Sequence, residues 1–175
     1  MFYDKCEEIL ISKESLASRV EELGARITED YAGKELVVIG VLRGSFIFLA
    51  DLVRAIKMPL SLDFIIAKSY AGTETTGEVR ILKDADVKVA GKHVLIVEDI
   101  IDSGFTLSKL VPYFENRNAA SVKICTALNK PARRQVKDLQ VDYIGFEIPD
   151  AFVVGYGLDF NDGMRNFPEI RIYKP

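Results

Sequence analysis

Histidine is nearly missing from this chain, cysteine is scarce, and no apolar run is long. The one histidine, His93, has no His or Cys near it in sequence. That excludes a histidine-based catalytic triad and a histidine metal cluster, and leaves a structural or exposed residue. Cys6 and Cys125 stand apart without CxxC spacing, so neither a zinc site nor a disulfide framework is expected, and the chain fits a reducing compartment. The longest apolar stretches, such as Leu36–Leu42, fall far short of the roughly 20 residues that a membrane span needs. Asp4, Lys5, Glu7 and Glu8 interrupt any signal-peptide core. Repeats, low-complexity tracts and Pro/Ser-rich linkers are absent, and so is a basic excess, the net charge being −3. The expectation is a soluble cytoplasmic protein with no nucleic-acid or membrane partner.

What is present is an ordinary globular balance, 49% apolar and 28% charged over 175 residues, enough for a single domain with a full core. Leu16, Val20, Leu23 and Ile27 recur at helical steps and predict a helix over Ser12–Tyr31, closed by Gly33. Leu36–Leu42 is short, β-branched and apolar throughout, the pattern of a strand buried on both faces. A helix is predicted over Phe46–Ile56, strands over Leu60–Ser69 and Val79–Leu82, and a Gly/Thr-rich loop over Ala71–Gly77 between them. Val94–Val97 predicts a second fully buried strand and Leu107–Phe114 a helix whose regularity Pro112 limits. Val122–Leu128 and Tyr143–Phe146 predict two more strands. The alternation argues for an α/β fold, a mostly parallel central sheet flanked by helices. The tail after Pro149, rich in Gly and aromatics, is expected to form an appended lobe.

The chemistry concentrates in VLIVEDIIDSGFTL, Val94 to Leu107. A buried strand runs into two acids, Glu98 and Asp99, and then into Asp102-Ser103-Gly104-Phe105-Thr106, where a helix begins. Ligands of open α/β sheets bind beyond the carboxyl ends of the strands. Free N–H groups at a helix start attract anions, the two hydroxyls add donors, and Gly104 permits close backbone approach. Acids beside a phosphate cradle make sense if the ligand also brings hydroxyl donors or a metal; a ribose phosphate with Mg²⁺ brings both. An acidic loop that merely caps the next helix is the plainer reading of any one of these residues. No G-x-x-x-x-G-K-[ST] occurs, which excludes a P-loop, and Gly155-Tyr156-Gly157 has Phe160 where a dinucleotide fingerprint needs its third glycine.

This string resembles the signature of type I phosphoribosyltransferases that binds phosphoribosyl pyrophosphate (PRPP). The Glu98-Asp99 pair followed by Ile-Ile-Asp resembles the hypoxanthine-guanine branch in particular, and the likeness extends from VLRGSFIFLADL to LDFNDGMRNFP. It implies the type I phosphoribosyltransferase fold: one domain over 1–175, with a core of roughly 34–148 and a small hood lobe from the N-terminal segment and roughly 149–175. It implies transfer of the ribose phosphate of PRPP to hypoxanthine or guanine in purine salvage, giving IMP or GMP and pyrophosphate with Mg²⁺, by a homodimer or homotetramer.

Residue by residue, the resemblance gives Glu98 and Asp99 the ribose hydroxyls and the metal, and Asp102 the purine proton. Ser103, Gly104, Phe105 and Thr106 take the 5′-phosphate, Ser103 replacing the commoner threonine. Arg43 and Gly44, between a strand and a helix, take pyrophosphate, often through a non-proline cis peptide; a solvated arginine on a plain turn is the other reading. Arg165 joins them. Lys130 takes the oxygen at purine position 6, Phe152 stacks on the base, the Val153 backbone reads its edge, and Asp159 is a further metal-site acid beside the purine. Ser69 and Tyr70 open a lid. Pattern alone makes Lys130 a solvated lysine and Phe152 and Val153 core residues. Phe160 and Gly163 depart from the family pattern. A xanthine-preferring transferase and a non-catalytic PRPP sensor on the same fold stay open as alternatives; adenine is disfavoured because its amino group cannot satisfy Lys130.

Overall fold

The computed structural model describes residues 6–70 and 78–174. In chain order the elements are β1 (Cys6–Ile11), α1 (Lys13–Asp30), β2 (Leu36–Leu42), α2 (Phe46–Ala55), β3 (Leu60–Tyr70), β4 (Glu78–Lys83), β5 (His93–Ile101), α3 (Phe105–Glu115), β6 (Ser121–Asn129), β7 (Tyr143–Glu147), β8 (Val153–Val154) and β9 (Ile170–Tyr173). The Ser12 hydroxyl caps α1 by accepting from the Ser15 N–H at 3.2 Å. Leu16, Val20, Leu23 and Ile27 are all buried, as their spacing predicts.

The main sheet has six strands in the order β4-β3-β2-β5-β6-β7. Five run parallel, and β4 turns back antiparallel along β3 at one edge. Along β2, Val37, Ile39 and Val41 face one side and Leu36 and Val38 the other, all buried. The first set meets Leu107, Leu110 and Phe114 of α3; the second meets α1 and α2 through Leu23, Phe48 and Leu52. Each such side chain contributes roughly 1.5–3 kcal/mol by leaving water. From β2 the chain crosses through α2 to β3; from β5 it crosses through α3 to β6, in the opposite direction. The order therefore reverses between β2 and β5, and a crevice opens where their carboxyl ends diverge.

A second, three-stranded sheet has the order β1-β9-β8, with Ile9 opposite Arg171 and Val153 opposite Ile172. It joins the two ends of the chain. No helix among the described residues is long and apolar enough to cross a membrane.

Two expected boundaries move by more than one residue. β5 continues past Val97 to Ile101, because β6 pairs with it as far as Ile101↔Asn129, so Glu98 and Asp99 lie within the strand rather than after it. α3 starts at Phe105, not Leu107, and runs past Pro112, whose carbonyl still accepts from the Asn116 N–H at 2.9 Å.

Candidate active site

At the carboxyl end of β5 the Glu98 side chain is buried and Asp99 half-buried. Glu98 Oε1 accepts from the Asp99 N–H at 3.2 Å, and Asp99 Oδ1 from the Ile100 N–H at 2.7 Å. Neither acid stands in an ion pair among the described residues. Burial, and then the adjacent Asp99 charge, pushes the Glu98 carboxyl well above its ordinary range. Burial also raises Asp99, against its hydrogen bonds and the pull of Arg165. Such a pair favours a cationic ligand.

The chain then turns through Asp102 and Ser103 to Gly104, which holds φ +87 at the start of α3. A side chain there is strained by φ alone, and a Cβ would also press on Leu139 and Arg134, 3.1 and 3.3 Å away. From behind, the Gln135 and Val136 N–H groups both donate to the Ser103 carbonyl at 3.0 Å. The turn is thereby braced from a distant segment, while its front and the first turn of α3 line a cavity of about 260 Å³ with Glu98, Asp102, Ser103, Gly104, Phe105 and Thr106 on its wall. The Phe105 N–H leans on the Ser103 hydroxyl at 3.4 Å; the other N–H groups of this helix start, with the two hydroxyls, suit a phosphate monoester.

A second cavity of about 270 Å³ is lined by Asp99, Ile100, Asp102, Lys130, Arg133, Phe152, Val153, Leu158 and Asp159. Lys130 is 5% exposed, so the solvated lysine that pattern alone suggests is not what is found. Its backbone N–H donates to the Ile101 carbonyl at 3.0 Å, carrying the β5–β6 pairing one step on. Its Nζ lies 3.3 Å from Asp102 Oδ1. Phe152 is 51% exposed, not core. It meets Phe160 and Tyr173 edge to face, and those two rings stack on each other at 4.4 Å. Val153 and Val154 are buried. Ile100 and Asp102 belong to both cavities.

The Leu42–Arg43 peptide is cis. Gly44 lies so close to Asp99 that a Cβ would run into its carboxylate, and a Cβ on Gly157 would strike the Gly44 carbonyl. Arg43 Nη2 pairs with Asp162 Oδ1 at 2.9 Å. Arg165 donates to the Gly157 carbonyl at 2.7 Å and pairs with Asp159 at 2.6 Å.

The model of the phosphoribosyl transferase domain matches residues 7–161. The chain belongs to this family. It is 49% identical over 170 residues to the hypoxanthine-guanine phosphoribosyltransferase of Bacillus subtilis, covering 97% of this chain and 94% of that one. It is 51% identical to the hypoxanthine phosphoribosyltransferase of Haemophilus influenzae, covering 91% and 90%. Among solved structures it resembles a hypoxanthine phosphoribosyltransferase from Staphylococcus aureus with a TM-score of 0.95 and 44% identity, covering 99% and 95%.

Of the family residues, Glu98, Asp99, Asp102–Thr106, Lys130, Phe152, Val153 and Asp159 come together around the two cavities, with Gly44 against Asp99. Arg43 and Arg165 meet at the loop 159–165. Ser69 and Tyr70 end β3; the loop 71–77 lies outside the described residues. Among the described residues, no three His, Cys, Asp or Glu side chains gather closely enough to hold a metal by themselves, so Glu98, Asp99 and Asp159 do not form a closed protein cage. His93 opens β5 at its opposite end, its Nδ1 2.8 Å from the Ser121 hydroxyl. The bracing of Ser103 by Gln135 and Val136, and the acid Asp162 between two arginines, carry no local sequence signal.

Proposed function

We propose that this chain joins hypoxanthine or guanine to the 5-phosphoribosyl group of PRPP, forming IMP or GMP and pyrophosphate in purine salvage. One observation carries the reading: two cavities, one suited to a phosphate and one to a planar base, share Asp102 on their common wall. The 5′-phosphate sits on the open N–H groups at the start of α3 and on the hydroxyls of Ser103 and Thr106. The purine lies on Phe152, with its 6-oxo group toward Lys130 and its edge along the Val153 backbone. Asp102 then faces the purine, where as general base it accepts the ring proton that the purine loses as it becomes a nucleotide, and it passes that proton to solvent once the products leave. C1′ lies between the two, so the C1′–N bond forms as the C1′–pyrophosphate bond breaks, through a transition state with positive charge on the ribose. Arg43, Gly44 and Arg165 hold the departing pyrophosphate. Most of the rate comes from positioning and electrostatics.

The buried Glu98 and half-buried Asp99 carboxyls, without an ion pair among the described residues, fit Mg²⁺, which binds through one or two carboxylates with the rest of its shell from phosphate oxygens and water; Asp159 is the additional acid. Bound there, the ion supplies positive charge beside the pyrophosphate. The reading includes a hood of the N-terminal segment and residues 149–175 over a core of 34–148, a lid beginning at Ser69 and Tyr70, a cytoplasmic location, and a homodimer or homotetramer. The test is a product assay with Mg-PRPP and hypoxanthine, guanine, xanthine or adenine in turn. Nucleotide from the first two is expected; xanthine alone, or no product at all, overturns the reading.

A further inference from the structure

Asp162 stands between the two arginines just assigned to pyrophosphate. Its Oδ1 lies 2.9 Å from Arg43 Nη2 and 3.7 Å from Arg165 Nη2. Arg165 has other partners, the Gly157 carbonyl and Asp159. For Arg43, Asp162 is the ion-pair partner among the described residues. The acid is also held in place. Phe160 and Gly163 exchange both backbone hydrogen bonds, at 3.2 and 3.0 Å, around Asn161 and Asp162 with φ of 49° and 62°. That is a two-residue turn with both central residues left-handed, a conformation that Asn and Asp tolerate well. Asp159 fixes it further by accepting from the Asp162 N–H at 2.9 Å.

We infer that Asp162 is an internal counter-ion that occupies the pyrophosphate-binding arginines and must be displaced when a diphosphate arrives. This rests on the function proposed above. A carboxylate and a pyrophosphate oxygen compete for the same guanidinium donors, and like charges repel once both are near. Asp162 therefore weakens binding of PRPP and of pyrophosphate alike and favours release of the latter. A plain turn residue would instead have no charge-dependent effect on either.

Asp162→Asn separates the two, because asparagine keeps the size and the left-handed preference and removes only the charge. Exposed pairs of this kind are weak, so we expect the KM for PRPP and the Kd for Mg-pyrophosphate to fall about two- to fivefold at low salt. The gain should shrink in high salt, which screens the pair, and the KM for hypoxanthine should stay put. Unchanged or weaker pyrophosphate binding by Asp162→Asn overturns the inference, as does a gain indifferent to salt or no pyrophosphate binding by either protein. Calorimetric titration with Mg-pyrophosphate needs no turnover. A wild-type chain that binds pyrophosphate but makes no nucleotide would therefore defeat the proposed function and still decide the role of Asp162.

Discussion

The nearly buried Lys130 ammonium lies at the wall of the second cavity, 3.3 Å from the Asp102 carboxylate, which is itself half exposed. The lysine's backbone N–H is bonded to the Ile101 carbonyl at 3.0 Å, which fixes where its side chain sets out. The pair links the proposed reader of the base to the proposed proton carrier.

Asp102→Asn keeps the shape and most hydrogen bonding but cannot take a proton. We predict a kcat loss on the order of 10²–10⁴-fold with PRPP binding largely kept, measured by steady-state kinetics and a PRPP titration. Turnover near wild type would remove Asp102 from that role.

Lys130→Ala should weaken hypoxanthine and guanine by about one to two decades, the worth of a charge-assisted hydrogen bond of roughly 1.5–3 kcal/mol, and should narrow discrimination against adenine. Phe152→Ala should weaken all purines alike, since stacking does not sense position 6. The comparison is kcat/KM for the three bases. An unchanged hypoxanthine-to-adenine ratio in Lys130→Ala would assign the selection elsewhere.

Gly44→Ala forces a methyl into the Asp99 carboxylate. The expected result is a stability loss of about 1–3 kcal/mol, the cost of overpacking, seen as a lowered melting temperature, together with a weaker KM for PRPP as the Asp99 carboxylate is pushed aside. Wild-type KM for PRPP in this variant would show that the contact at Gly44 is dispensable.

Asp84, just after β4, ties that edge to α3. It accepts from the Tyr113 hydroxyl at 2.6 Å, from both Arg117 nitrogens at 2.6 and 3.2 Å, and from the Ala85 N–H at 2.7 Å. Burial pushes the carboxyl up, but these bonds outweigh it and hold it below the ordinary range. A depressed carboxyl contributes stability above its unfolded pKa of about 3.9 and loses it as pH falls through the folded value. Because the pair is partly exposed, Asp84→Asn should cost only about 0.5–1 kcal/mol at pH 7. Urea unfolding at pH 7, 4 and 3 should show that gap closing in acid; a gap constant with pH would sink the assignment.

β2 and the helix over α1 are legible from periodicity alone, since each buries a regular pattern that neighbours in space reinforce. β5 is legible only in part. Two acids end its apolar run, yet the ladder with β6 carries the strand through them. β1 is invisible in CEEILI because its partner, β9, lies at the other end of the chain; β8 is too short for any period. The stretch Glu98–Thr106 proposed to bind the ribose phosphate stands out because its residues are contiguous. Lys130 and Phe152 reach the second cavity through the fold, and their burial and exposure, opposite to what their chemistry suggests, follow from where β6 and the small sheet end. Asp162 and the brace on Ser103 depend on contacts between separate segments.

The small sheet also sets an order of events at synthesis. β8 gains its neighbour β9, and β9 its neighbour β1, only when β9 has left the ribosome. Strands β2, β3, β5 and β6, with the start of α3, can assemble before that point, since nascent chains fold from the N-terminus onward. A chain stalled or cut before Ile170 would thus hold all six strands of the main sheet and leave the wall holding Phe152 without its backing from β9.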